Sequence, residues 1–288
     1  MKSISVKKNQ PSGFTLVEVA IVLVIVGLLM GGMLLPLSTR IEQQRQQETE
    51  KALAEIREAL LGFAVTYGRL PCPANPNLNN TDPNAGMEVV DNPSSPTQCA
   101  DITVGAVTSK EAGVLPWKTL GVTETDAWGR RFTYRVMADF ADTNATTPTP
   151  IATCTPGSST SSFNLCAQGN LSVRTSLSNG AENCTSGTAN ANCYPALVLS
   201  HGRNGIGAFG TNGQQMGALT DAGDNEKINI LGNNDGNSAT KASTSDSYAF
   251  VNATPTQAED PAARFDDLLI WVSPTILFNR MVSAGKLP

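Results

Sequence analysis

Phe14-Thr15-Leu16-Val17-Glu18 opens the run FTLVEVAIVLVIVGLLMGGMLLPL, residues 14–37, which is 24 residues long and holds a single charge, Glu18. A bilayer core takes about 20 predominantly apolar residues in helical form, so the run predicts a transmembrane helix. Lys2, Lys7 and Lys8 precede it, with no acid among residues 1–13, which predicts a cytoplasmic N-terminus. A secretory signal peptide is the alternative, but this stretch is too long for one. It also carries a carboxylate near its start and lacks a following A-x-A site. Glu18 is the informative residue. A carboxylate in a membrane helix costs roughly 3 kcal/mol and is functional by default, and no other ionisable side chain lies between Gln10 and Ser38.

Read with its flank, Lys7-Lys8-Asn9-Gln10-Pro11-Ser12-Gly13-Phe14-Thr15-Leu16-Val17-Glu18 resembles the class III leader of type IV pilins and type II secretion pseudopilins. The resemblance implies cleavage after Gly13 by a prepilin peptidase on the cytoplasmic side, then methylation of the new Phe14 amine. That amine would sit four residues before Glu18, on the same helix face. In a filament, Glu18 of one subunit would pair with the Phe14 amine of a neighbour, each charge offsetting the other's desolvation and fixing axial register. The alternative is that Glu18 reaches back to its own amine.

From Thr39 to Tyr67 the chain is rich in helix formers and free of proline. Leu53, Ile56, Leu60, Phe63 and Tyr67 fall at steps of three and four, one apolar stripe that predicts packing against a sheet. One helix is expected from about Phe14 to Tyr67, roughly 80 Å at 1.5 Å per residue. Pro36 removes a hydrogen bond inside it and predicts a kink. Gly27, Gly31 and Gly32 either weaken the same region or permit close helix packing. This divides the chain into a leader (1–13), a transmembrane half-helix (14–37), an extracytoplasmic half-helix (38–67) and a head (68–288).

The head carries few charges and a negative balance. Charged residues are 16% of the chain and the net charge is −5, which becomes −8 once three leader lysines are removed. That argues against general nucleic-acid binding, which needs excess Lys and Arg, although Arg130, Arg131 and Arg135 would form a small local patch. Gly68-Arg69-Leu70-Pro71 ends the helix, and Cys72–Thr103 reads as loop. Asp126-Ala127-Trp128-Gly129-Arg130-Arg131-Phe132-Thr133-Tyr134 resembles a pseudopilin turn-and-strand with alanine in place of the commoner proline. Arg131–Met137 is the expected strand, with Phe132, Tyr134 and Val136 on one face. Ala196–Ser200, Tyr248–Val251 and Leu268–Val272 are further strands, and residues 143–162 an exposed Ser/Thr/Pro-rich loop, solvated or glycosylated. The glycines of His201–Gly207 make a β-turn; no Lys-Ser or Lys-Thr follows to build a phosphate loop. Ser273 caps a last helix with Pro274 at its first position and Gly285 beyond its end. The fold class expected is α+β: a long N-terminal helix on an antiparallel sheet, closed by a C-terminal helix.

Six cysteines in an exported domain predict disulfides. Local spacing favours Cys72–Cys99, Cys154–Cys166 and Cys184–Cys193. Asp221, Asp224 and Glu226, with Asn204 and Asn225, offer oxygen ligands for calcium, and some major pseudopilins hold calcium in a corresponding loop. The spacing matches no EF-hand, and a solvated acidic loop is the alternative. No other cofactor is expected. Asp266 and Asp267 cap or edge the strand they precede. His201, the one histidine, lies on a turn without a nucleophile elbow, so no catalytic residue is expected. The resulting expectation is a bitopic subunit of the bacterial inner membrane, head in the periplasm, that assembles into a pilus or pseudopilus. Its partners would be the prepilin peptidase, other pilin subunits, the inner-membrane assembly platform and the bilayer. The chain is large and rich in loops for a major pilin, which favours a minor or specialised subunit. The alternative is a binding module at a filament tip, an adhesin or DNA-capture subunit mounted on the helix.

Overall fold

The computed structural model describes residues 13–92, 98–105, 107–142, 163–176, 184, 193–231, 248–256 and 260–287, with the backbone alone at 29–39, 107, 219, 248 and 261. The chain divides into two compact units, Met1–Arg45 and Gln46–Pro288. Helix α1 runs over Leu16–Tyr67, close to the expected range, and continues through position 36; the kink expected at Pro36 lies outside the described side chains. Among the described residues no helix is long and apolar enough to cross a membrane. The second half of the apolar run falls where only backbone is described, so the span over 14–37 rests on the sequence. From Leu16 to Leu28 the large apolar side chains are exposed.

In the second unit the elements follow in the order β1 (Ile102–Val104), β2 (Val107–Ser109), β3 (Ala112–Val114), α2 (Trp117–Leu120), β4 (Arg130–Arg131), β5 (Thr133–Val136), α3 (Ala138–Ala141) and β6 (Leu171–Arg174). They continue with β7 (Cys193–Tyr194), β8 (Ala196–Ser200), β9 (Phe209–Gly210), α4 (Asp224–Asn229), β10 (Tyr248–Val251), β11 (Leu268–Val272) and α5 (Pro274–Ser283). A four-stranded antiparallel sheet, order β11-β8-β5-β3, forms the centre. Leu53, Ile56, Leu60 and Phe63 of α1 are buried, the first three in the same core as Tyr134, Val136, Leu197, Val198 and Leu277. Full burial stabilises by about 1.5–3 kcal/mol per large aliphatic side chain, so this stripe anchors the helix to the head. Tyr67, expected on the stripe, is instead 63% exposed and rests on Phe63 with ring centroids 4.3 Å apart. It is the last helical residue, and the chain turns at Gly68 with φ of 73°.

Two further expectations are corrected. The strand foreseen over Arg131–Met137 is broken at Phe132: β4 pairs with β9, and β5 pairs with β3 and β8. Every residue from Arg131 to Met137 is buried, because the strand is covered on both faces. The sheet against which α1 packs is antiparallel, as expected, and in a separate sheet of order β10-β6-β7 strand β10 pairs with β6 in parallel. Ser273 takes the N-cap position of α5, with Pro274 at the first turn, but its side chain makes no capping bond. Gly285 lies just past that helix with φ of 69°, as expected of a residue that must leave the right-handed region.

Candidate functional site

Gly13, Phe14 and Thr15 precede the first helical turn, all three exposed, and a side-chain carbon built on Gly13 would meet nothing within 4 Å. The Gly13–Phe14 bond is thus accessible non-helical backbone. The rest of the expected leader (1–13), residues 1–12, lies outside the described residues.

Glu18 is engaged locally. Its Oε2 accepts from the Thr15 N–H at 2.9 Å and the Thr15 hydroxyl at 3.0 Å, while its own N–H donates to Thr15 Oγ1 at 3.3 Å. This reciprocal pair is a capping box: Thr15 holds the N-cap, Glu18 the third helical position, and two otherwise orphaned N–H groups are satisfied. Sequence reasoning offers Glu18 only amine partners and misses Thr15, although the T-x-x-E signature before an apolar run is there to find it. Phe14 is joined to Gly13 by a peptide bond here and has no free amine, so the carboxylate bonds to the nearest donors it has.

In the head, Cys72–Cys99 and Cys184–Cys193 are disulfides. Cys166 is also disulfide-bonded, and its expected partner Cys154 lies outside the described residues, as does the Ser/Thr-rich loop at 143–162. The arginine patch is not formed. Arg131 and Arg135 are 1% and 2% exposed and pair with Glu124 and Glu111 at 3.0 and 3.3 Å. Arg130 turns its guanidinium to the carbonyls of Gly202 and Arg203.

The calcium candidates separate. Asp221 and Asp224 are exposed, and Asp224 pairs with Lys227 at 2.9 Å. Glu226 is buried in a different grouping, with Asp266 and Asp267. Its Oε1 accepts from Asn204 Nδ2 at 2.8 Å and the Asp266 N–H at 3.0 Å, and its Oε2 from the Gly223 N–H at 3.0 Å. The carboxylate is thereby committed to holding three segments together. Asp266 and Asp267 do more than edge β11, since both belong to this junction. His201 is fully buried with Nε2 3.0 Å from Thr133 Oγ1 and Nδ1 3.8 Å from Asp267 Oδ1. Burial, aided by Arg130, lowers it to about 3, so it is neutral. The Thr133–His201–Asp267 line has the order of a nucleophile, base and orienting acid, yet each member is at most 2% exposed.

Residues 8–34 match the family model for the prokaryotic N-terminal methylation motif. No curated protein and no solved structure matches the chain. The match encloses Gly13, Phe14, Thr15 and Glu18, so the segment with the accessible bond and the capped carboxylate is the signature of type IV pilins and pseudopilins.

Proposed function

We propose that this chain is a structural subunit of a type IV pilus or type II secretion pseudopilus, of the minor or specialised kind. It is held in the bacterial inner membrane by residues 14–37 until a prepilin peptidase cuts after Gly13. Methylation of the Phe14 amine follows, and the subunit assembles with other pilin subunits on the inner-membrane platform. The observation that carries this reading is the methylation motif at residues 8–34, with its one intramembrane acid. Assembly is then an exchange of partners at Glu18. In the precursor the carboxylate is satisfied by Thr15; after cleavage a cationic amine of a neighbouring subunit offers a stronger, charge-assisted bond. The exposed apolar side chains of residues 16–28 face lipid before this step and other helices after it.

Replacing Glu18 with Ala tests the reading in cells. The variant is expected to insert and to be processed to a methylated Phe14 terminus, seen by mass spectrometry of the intact chain. Its incorporation into sheared filaments is expected to fall at least about tenfold, the ratio matching 1.4 kcal/mol of lost pairing. Undiminished incorporation, or a mature chain that retains residues 1–13, overturns the proposal.

A second reading, a binding module at the filament tip, draws on an open groove of about 740 Å³ in the head, lined by Leu78, Asn84, Met87, Val89, Val90 and Lys118. Immunogold labelling separates the two: label along the fibre supports the structural subunit, and label at one end only supports the module.

A further inference from the structure

Beyond the N-terminal site, the head contains a junction that the assembly role leaves unused. Three segments far apart in sequence meet there. The turn 201–207 brings His201 and Asn204; α4 brings Glu226 and Asn229; the lead into β11 brings Asp266 and Asp267. Glu226, Asp266 and Asp267 place carboxylate oxygens within 4.8 Å of one another. The Arg130 guanidinium acts on Asp266 and is already bonded to the carbonyls of Gly202 and Arg203. His201, wholly enclosed, presents an Nδ1 without a hydrogen bond towards Asp267 at 3.8 Å, and it carries no charge. Asp266 Oδ1 is likewise buried and unbonded. Asp266 Oδ2 accepts from the Asn204 N–H at 2.8 Å, and Asp267 Oδ2 from Asn229 Nδ2 at 2.8 Å. Three carboxylates this close cannot all ionise cheaply in a buried place.

We propose that a proton shared between Asp266 and Glu226 latches the turn 201–207, helix α4 and the lead into β11 together, and that raising the pH releases it. The orphaned Asp266 Oδ1 is the atom that carries the proton. With the proton present, the Asp266 carboxyl donates to a Glu226 oxygen and both charges become one. Without it, Asp266 and Glu226 are both charged at close range and the junction loosens. The segments are closely packed with the proton in place: a side-chain carbon on Gly202 would collide with the Asp266 carbonyl, and one on Gly205 with the Arg130 guanidinium.

Burial, reinforced by Glu226, pushes Asp266 up to about 7. Burial, then Glu226, also holds Asp267 well above the usual carboxylate range. A carboxyl raised on folding contributes stability that is complete below its unfolded value near 4 and is lost as the pH climbs through about 7. His201 works in the opposite sense and in a lower window, resisting a proton that the unfolded chain accepts below about 6.5. Comparing a variant with the parent cancels that contribution.

The test uses the full chain in detergent micelles, with urea unfolding of the head followed by tryptophan fluorescence at pH 5 and pH 8. Asp266→Asn keeps a neutral, hydrogen-bonding side chain at every pH. Relative to the variant, the parent is expected to lose folding constant by on the order of a hundredfold between pH 5 and pH 8. Parallel profiles overturn the latch. If the variant does not fold, carbon NMR of the parent decides: a carboxyl of the pair titrating near 7 supports the proposal, and none above 5 overturns it. Recovery of the parent at pH 8 by millimolar calcium alone also overturns it, by giving the shared place to a cation.

Discussion

Arg131 is 1% exposed, a position a charge occupies only when every donor is matched. Its guanidinium donates to the carbonyls of Pro76, Leu78 and Thr211 and to Glu124, and lies 4.7 Å from the centroid of the Trp117 ring. Replacing Arg131 with Met leaves those acceptors buried and unmet, which costs about 3–5 kcal/mol. The urea midpoint of the head reads this loss, and a shift worth under about 1 kcal/mol would show that water restores the lost bonds. Lys fares little better there, because a single ammonium cannot span three carbonyls as a planar fork does. Nothing in the local sequence warns of this burial. Arg131 reads as part of an exposed basic patch because its carbonyl partners lie 53 to 80 residues away. Gly13, Phe14 and Glu18 are legible for the opposite reason, since their meaning lies in spacing along one short stretch.

Helix α1 shows how far periodicity carries at the scale of an element. Leu53, Ile56, Leu60 and Phe63 are buried as their spacing foretells, and Tyr67 is not. Leu60→Ala removes a wholly enclosed side chain and should destabilise the head by about 2–5 kcal/mol. Tyr67→Ala, at the exposed end, should change it by less than about 1 kcal/mol. Equal losses in calorimetric unfolding would refute this helix register. Strands β8 and β11 are readable from continuous apolar runs, and their bounds match the expected ones. The break between β4 and β5 is not, because β9 competes for Arg130 and Arg131 from almost eighty residues away. The parallel pairing of β10 with β6 is invisible for the same reason: no local signal states which distant strand a strand will meet.

Across the whole molecule, covalent links limit how the loops can unfold. Cys72–Cys99 closes a stretch of 27 residues at the point where α1 hands over to the sheet, and Cys99 N–H donates to the buried carboxylate of Asp142 at 2.7 Å. Replacing both cysteines with Ser should cost about 2–4 kcal/mol by freeing the unfolded chain. Reductant should lower the urea midpoint of the parent and leave that of the variant less affected; an identical response in both would deny the clip any role.

Helix α5 lies more than 200 residues after α1, yet Leu277 and Met281 share a core with Leu53 and Leu60, and Arg280 reaches Glu58 across 222 residues at 3.2 Å. Strand β11, which immediately precedes it, supplies one margin of the central sheet. The interior therefore stays open until this strand and helix have docked. A head in which they were undocked would be wet and unsealed, with its apolar core within reach of proteases. Sealing is in this way left to the contacts most distant in sequence.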